Sequence, residues 1–122
     1  MAKRILTVDD SKTMRDMVSF TLRRAGFEVN EAEDGNKALT VLVAGRFDLI
    51  ITDLNMPNMN GLELIRALRK LPQLTGLPIV FLTTESNDAV KQEAKSAGAT
   101  GWITKPFKPE QLLAVVVKLV RS

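Results

Sequence analysis

The sequence predicts an α/β protein whose parallel sheet is covered by helices on both faces. Two observations carry this prediction. Short β-rich runs alternate with helical patterns from end to end, and several of these runs are apolar at nearly every position. Strands of that kind are buried on both faces, which is typical of parallel sheets flanked by helices. The length of 122 residues suits a single domain spanning 1–122.

The first half of the chain predicts two strand–helix pairs. Asp9, Asp10 and Ser11 end the first apolar run, and Gly26 lies where the cap of the following helix is expected. The second strand alternates, and Asp34-Gly35 turns the chain into the second helix. The predicted elements are a strand over 5–8, a helix whose apolar face carries Met14, Met17, Val18, Thr21, Leu22 and Ala25, a strand over 28–32, and a helix ending near Gly45.

The second half predicts three further pairs. Pro57 and Gly61 mark a loop after the third strand, Pro72 closes the third helix, and Gly98 stops the fourth. The predicted strands cover 49–51, 78–83 and 101–104, and the predicted helices cover 62–71, 87–97 and 109–120. Because crossovers between parallel strands are right-handed, five such repeats predict a doubly wound, flavodoxin-like (βα)5 fold with strand order 2-1-3-4-5.

Composition excludes several kinds of site. Hydrophobic residues make up 45% and charged residues 25% of the chain, the balance of a globular protein. Cysteine and histidine are both absent, so the chain has no disulfide framework, no thiol or imidazole zinc site and no histidine acid–base catalyst. Any metal ion must therefore be held by oxygen ligands.

Charge and targeting signals predict a cytoplasmic protein without nucleic-acid or membrane partners. The start of the sequence lacks a signal-peptide core, and no apolar stretch approaches the roughly 18 residues that span a bilayer. The net charge is +3. Its basic residues are spread over several helices with few aromatics among them, which favours solvated helix faces over a nucleic-acid surface.

Chemistry is expected where the strands end. In open α/β sheets, ligands bind outside the carboxyl ends of the strands. Carboxylates crowded there repel one another unless a cation lies among them, and oxygen ligands favour Mg²⁺. A carboxylate is then the available nucleophile for a phosphoryl group, which would give an aspartyl phosphate. The residues at the predicted strand ends are Asp9, Asp10, Asp53, Thr83 and Lys105.

At these residues the chain resembles the receiver domains of bacterial two-component response regulators, and most closely those of the chemotaxis type. The resemblance covers essentially the whole chain. It implies that Asp9 and Asp10 form the metal-binding acid pair and that Asp53 is both phosphoacceptor and metal ligand. It also implies that Thr83 is the catalytic and switching hydroxyl residue and that Lys105 is the catalytic lysine.

The resemblance implies further roles around this set. The backbone carbonyl of Asn55 would bind Mg²⁺, and the peptide between Lys105 and Pro106 would be cis. Asn55 and Glu85 would tune the lifetime of the phosphoryl group, and their pairing predicts a short one. Trp102 stands where the family usually carries a switching Tyr or Phe, so either it switches or it is only a packed strand residue.

Output is expected to depend on protein contacts. The last helix is apolar nearly all round over 112–120, which indicates a contact surface. The resemblance implies that the fourth helix, fifth strand and fifth helix form the output face, for partner docking or a weak dimer. Because no effector domain follows in this sequence, we expect signalling by non-covalent binding. The implied partners are a sensor histidine kinase of the chemotaxis type and a flagellar motor switch protein or a phosphatase.

Several functions compete with this one. A phosphate sink would drain the kinase without contacting a motor, and a degenerate receiver would bind partners without phosphorylation. A flavodoxin-type electron carrier would need a phosphate-cradling loop where the acidic pair Asp9-Asp10 lies. A haloacid dehalogenase-type hydrolase would carry a second Asp where this chain has Asn55. The protein is therefore expected to be a signalling protein that catalyses only its own phosphorylation and dephosphorylation, not an enzyme acting on other molecules.

Overall fold

The structure is a computed structural model that describes residues 2–56 and 58–120, and it consists of alternating strands and helices. The bounds of all predicted elements agree with it to within two residues. Pro57, one of the two residues that mark the predicted loop after the third strand, lies outside the described residues. The elements are β1 (Arg4–Val8), α1 (Lys12–Arg24), β2 (Glu28–Ala32), α2 (Gly35–Ala44), β3 (Leu49–Thr52), α3 (Gly61–Arg69), a 3-10 helix (Pro72–Leu74), β4 (Ile79–Thr83), α4 (Asp88–Ala97), β5 (Gly101–Thr104) and α5 (Pro109–Val120).

The five strands form one parallel sheet in the order β2-β1-β3-β4-β5, which confirms the predicted fold. Successive residues of each strand point to opposite faces. On one face α1 and α5 cover the sheet, and Leu22 and Leu112 are among their buried residues. On the other face α2, α3 and α4 cover it, and Leu42 and Leu64 are fully buried there. Both faces of the central strands are therefore dry, as their apolar sequences predict.

The buried face of α1 is narrower than predicted. Val18 and Leu22 are buried, but Met17 is 48% exposed, so the predicted apolar face is buried only in part. Ser19 is buried on the side of the helix that faces the core, and its hydroxyl donates a hydrogen bond to Glu31. The rotation of α1 about its axis places Val18 and Leu22 against the sheet. Ser19 beside them can be polar because Glu31 of β2 accepts its hydrogen bond.

The third helix ends two residues earlier than predicted, at Arg69. The Arg69 guanidinium donates hydrogen bonds to the carbonyls of Leu74, Thr75 and Gly98, and so ties the end of α3 to the 3-10 helix and to the end of α4. Burial lowers the pKa of this guanidinium. Gly98 has a φ of 114°, and a side chain there would meet Arg69, so the glycine serves both the helix cap and this contact.

The last helix keeps an apolar surface outside the core. Leu112 and Val116 are buried against the sheet, whereas Val117 is 45% exposed. The width of the apolar band therefore exceeds what packing requires, as the sequence indicates. No helix among the described residues is long and apolar enough to cross a membrane.

Candidate functional site

Sheet register brings the first carboxylates of the site together. Val8 pairs with Thr52 at the carboxyl ends of β1 and β3, so Asp9 and Asp53 follow side by side. The Asp53 amide donates to the Val8 carbonyl at 2.9 Å, and the Asp9 amide donates to Ala32 at 3.1 Å. These two bonds continue the hydrogen-bond pattern of the sheet and hold the backbone of Asp9 and Asp53 in place.

Asp10 completes a cluster of three carboxylates. One oxygen from each of Asp9, Asp10 and Asp53 lies within 4.8 Å of the others. Asp9 is buried, Asp53 is half-buried and Asp10 is exposed. The cluster therefore reaches from the sheet edge to solvent, and an incoming ion would meet it from the Asp10 side.

Lys105 neutralises part of this negative charge. Thr83 pairs with Thr104 at the ends of β4 and β5, and the Lys105 amide donates to the Thr83 carbonyl at 2.8 Å. The Lys105 ammonium lies 2.9 Å from Asp9 Oδ2 and 3.3 Å from Asp53 Oδ2. The three side chains are only 11%, 5% and 12% exposed. Low exposure strengthens such pairs and makes an unpartnered member costly. The peptide bond to Pro106 is cis.

Backbone donors orient the remaining carboxylate oxygens. Asp9 Oδ1 accepts from the Ser11 amide at 2.9 Å, and Asp53 Oδ1 accepts from the Leu54 amide at 2.7 Å. Ser11 in turn caps α1 through its hydroxyl, which accepts from Met14. Each carboxylate thus shares one oxygen with a backbone N–H and the other with Lys105, which fixes its plane.

The donor set fits a hard divalent cation. All three clustered ligand groups are carboxylates, and Mg²⁺ prefers oxygen ligands with several retained waters. Exposed Asp10 leaves room for those waters. Asn55 is also exposed, two residues after Asp53, and the metal-binding role of its carbonyl stays a prediction. A bound cation would share Asp9 and Asp53 with the Lys105 ammonium.

Thr83, Glu85 and Trp102 lie in one chain of hydrogen bonds. Thr83 is fully buried, and its hydroxyl oxygen accepts from the Glu85 amide at 3.3 Å. The Glu85 carbonyl accepts from Trp102 Nε1 at 3.2 Å. The indole also packs on Phe81, with ring centroids 5.6 Å apart, and Lys91 Nζ lies 5.8 Å from the indole ring. Trp102 therefore lies outside the carboxylate cluster but is linked to Thr83 through Glu85.

Sequence reasoning missed two residues that shape this site. A Cβ on Gly61 would lie 2.6 Å from the Asp53 carbonyl and 2.5 Å from Phe81 Cε1, so the start of α3 can approach the site only with glycine there. Arg15 donates from its guanidinium to the Asp9 carbonyl at 2.6 Å. In the sequence Gly61 indicates only a loop. Arg15 follows an apolar position and indicates only a polar helix face. The contacts of Gly61 and Arg15 join residues far apart in the chain, and no local sequence pattern predicts them.

Comparisons with known proteins agree with this geometry. Residues 5–117 match the model of the response regulator receiver domain. The chain is 41% identical over 117 residues to the chemotaxis protein CheY of Pseudomonas aeruginosa, an alignment that covers 95% of this chain and 94% of that protein. It is also 41% identical to the uncharacterized transcriptional regulatory protein YrkP of Bacillus subtilis, of which it spans 51%.

Solved structures are similar as well. The chemotaxis response regulator CheY4 of Vibrio cholerae superposes with a TM-score of 0.93 at 48% identity, covering 98% of this chain and 99% of that one. A putative response regulator from Chloroflexus aurantiacus gives a TM-score of 0.95 at 32% identity, with complete coverage of both chains. These likenesses extend over the whole sheet and its helices rather than over the site alone.

Proposed function

The chain belongs to the response regulator receiver domain family, as a CheY-like member, and on that premise we propose that it accepts a phosphoryl group on Asp53 in a Mg²⁺-dependent reaction. A sensor histidine kinase is the donor, in the cytoplasm. The observation that carries the proposal is the Lys105 ammonium, which lies between Asp9 and Asp53 inside a cluster of three carboxylates. A lysine and an acid pair around one half-buried carboxylate are the groups that phosphoryl transfer to that carboxylate needs.

The proposed step is an in-line displacement. An oxygen of the Asp53 carboxylate forms a bond to phosphorus, the N–P bond of the donor phosphohistidine breaks, and the imidazole leaves with that electron pair. Bound Mg²⁺ would neutralise charge on the transferred oxygens. Lys105 and Thr83 would donate hydrogen bonds to those oxygens, while Asp9, Asp10, Asp53 and the Asn55 carbonyl would hold the cation. In dephosphorylation, an oxygen of water forms a bond to phosphorus, the bond from phosphorus to the Asp53 oxygen breaks, and inorganic phosphate and a proton are released.

Signalling from Asp53 to the surface follows the hydrogen-bonded chain through Thr83. When the Thr83 hydroxyl turns toward the phosphoryl group, its bond from the Glu85 amide is disturbed. The Glu85 carbonyl holds the Trp102 indole, so the change reaches β5 and α4. Trp102 then acts as the switch residue, in a family position that usually carries Tyr or Phe.

The lifetime of the phosphoryl group is short in this proposal. Asn55 is exposed and Glu85 half-buried, each two residues beyond a site residue. In receiver domains the residues at these two positions influence how readily water attacks the phosphoryl group. A phosphoryl form stable for many hours would contradict this part of the proposal.

Output is by phosphorylation-dependent binding through the α4-β5-α5 face, with a flagellar motor switch protein as the chemotaxis target. On α5 the side chain of Val117 is exposed and apolar, and Val115 lies beside Gly101 of β5. A phosphate sink is the second candidate, in which the packing of Trp102 on Phe81 keeps the indole in place after phosphorylation. Binding of a motor switch protein before and after phosphorylation distinguishes the two, because a sink binds in neither state.

Intact mass spectrometry tests the central reaction. After incubation with acetyl phosphate and Mg²⁺, the wild type gains one phosphoryl adduct that needs the cation and decays on further incubation. Asp53→Asn, which keeps the shape but loses the nucleophile, gains none. If neither acetyl phosphate nor histidine kinases phosphorylate the wild type, the proposal fails and a phosphorylation-independent binding module replaces it.

A further inference from the structure

We propose that Arg15 is a positioning residue that holds the Asp9–Asp10 peptide, so that the carboxylate cluster is formed before the cation arrives. The inference rests on the proposed function, because it concerns the same Mg²⁺ site. It assigns a role to a side chain that touches none of the reacting atoms. Its basis is a set of contacts between α1, the end of β1 and the end of β2.

The Asp9 backbone is anchored on both sides. Its amide donates to the Ala32 carbonyl of β2 at 3.1 Å, and its carbonyl accepts from Arg15 Nη1 at 2.6 Å. A guanidinium donor makes the second bond charge-assisted and strong. Because the Asp9 carbonyl belongs to the peptide that joins Asp9 to Asp10, the bond from Arg15 fixes the plane of that peptide. The direction in which Asp10 leaves the sheet edge is thereby set.

Arg15 is itself held in place by an acid from the neighbouring strand. Its Nε donates to Glu31 Oε1 at 3.3 Å, and the other oxygen of Glu31 accepts from the Ser19 hydroxyl at 3.0 Å. The Arg15 side chain is 14% exposed. A side chain fixed at two points in a nearly dry position loses little further freedom when it orients the peptide. Glu31 also offsets the positive charge of Arg15, which would otherwise repel a cation at the cluster.

The cluster needs such support because its members repel. One oxygen from each of Asp9, Asp10 and Asp53 lies within 4.8 Å of the others. Lys105 contacts Asp9 and Asp53, whereas Asp10 is exposed and depends on its backbone for direction. Groups that orient metal ligands without touching the metal contribute strongly to affinity. Arg15 acts in this way through the peptide that carries Asp10.

Calorimetric titration with Mg²⁺, without any phosphodonor, tests the role directly. Arg15→Met keeps an unbranched apolar stem but removes the donors, and we expect Mg²⁺ to bind about tenfold more weakly. Simple electrostatics predicts the opposite sign, because removing a positive charge near a cation site strengthens binding. Unchanged or tighter binding by Arg15→Met, in a variant with a wild-type circular dichroism spectrum, overturns the inference.

Two further variants separate positioning from packing. Arg23→Met is the matched control: Arg23 is on the same helix and also approaches Glu31, at 3.9 Å, but it donates to the Val29 carbonyl rather than to Asp9. Its Mg²⁺ affinity should stay within twofold of the wild type. Arg15→Lys keeps a charged donor but lacks the planar guanidinium with its several N–H donors. It should recover part of the Mg²⁺ affinity lost in Arg15→Met. Equal losses in Arg15→Met and Arg23→Met would also overturn the inference.

The outcome is distinct from that of the proposed function. If the wild type binds Mg²⁺ and is phosphorylated while Arg15→Met binds Mg²⁺ equally well, the inference fails and the proposed function stands. If the wild type takes up no Mg²⁺, both fail together.

Discussion

Lys105 decides the charge balance of the site at the scale of single residues. Its ammonium contacts two carboxylates that are 5% and 12% exposed. Removing one partner of a buried ion pair leaves charges that neither water nor protein compensates. The same contacts place Lys105 in competition with a bound cation for Asp9 and Asp53. If the site binds Mg²⁺ as proposed, stability and cation binding are coupled through this one side chain.

Lys105→Met should lower the free energy of unfolding by about 3 kcal/mol in the absence of Mg²⁺. With saturating Mg²⁺ the deficit should shrink, since the cation then supplies the missing positive charge. Urea denaturation with and without Mg²⁺ measures both values. Lys108→Met removes an exposed lysine and is expected to stay within about 0.5 kcal/mol of the wild type. A deficit that Mg²⁺ leaves unchanged would contradict the coupling.

Gly61 supports the loop after Asp53 by having no side chain. Gly61→Ala places a Cβ 2.5 Å from Phe81 Cε1 and 2.6 Å from the Asp53 carbonyl, so the backbone beside Asp53 must shift. We expect a loss of about 2 kcal/mol in the free energy of unfolding, together with slower phosphorylation. Gly76→Ala is the control, because nothing lies within 4 Å of a Cβ there. Equal stabilities of the two variants would show that the start of α3 gives way freely.

At the scale of elements, the segment between β4 and α4 links the site to the surface. It carries Glu85, whose amide contacts Thr83 and whose carbonyl holds Trp102. The indole is packed on Phe81 of β4 and under Lys91 of α4. Movement of this segment would therefore change the surroundings of Trp102 and the surface of α4 together.

Trp102 is the only tryptophan in the chain, so its fluorescence reports this segment alone. We expect phosphorylation by acetyl phosphate and Mg²⁺ to change its emission, because a disturbed Thr83–Glu85 contact alters the acceptor of the indole N–H. The signal should return as the phosphoryl group is lost, and Asp53→Asn should give no change. Constant emission in a fully phosphorylated wild type would mean that Trp102 is a packed residue without a switching role.

At the scale of the whole molecule, binding at the sheet edge should stabilise the entire fold. Asp9 and Asp53 follow the neighbouring strands β1 and β3, and Lys105 follows β5, so unfolding separates the groups of the site. A ligand that binds only the native state adds about 2.7 kcal/mol when its concentration is 100 times its dissociation constant.

The urea midpoint should therefore rise with Mg²⁺ and fall again on addition of EDTA, with no change in the slope of the transition. Asp10→Asn should reduce this rise, because it removes a charged ligand from the exposed side of the cluster. An increase of equal size in Asp10→Asn and the wild type would indicate that Mg²⁺ acts elsewhere on the molecule.

The sequence alone determined the fold and the positions of the residues at its strand ends. A strand that is apolar at every position, such as 49–51, buries all its side chains only in a sheet that is covered on both faces. Parallel strands put their carboxyl ends at one edge of the sheet, which predicts that Asp9, Asp53 and Lys105 lie close together there. Both inferences depend on periodicity and chain direction, which are local properties of the sequence.

Only the tertiary structure decided which contacts support that cluster. Three contacts join different elements of the fold. They are the hydrogen bond from Arg15 to Asp9, the close approach of Gly61 to Asp53, and the hydrogen bond from Trp102 to Glu85. The exposure of Met17, against the predicted buried face of α1, depends on how that helix is rotated over the sheet. Such contacts are set by the packing of side chains between elements, and packing has no period that a single sequence displays.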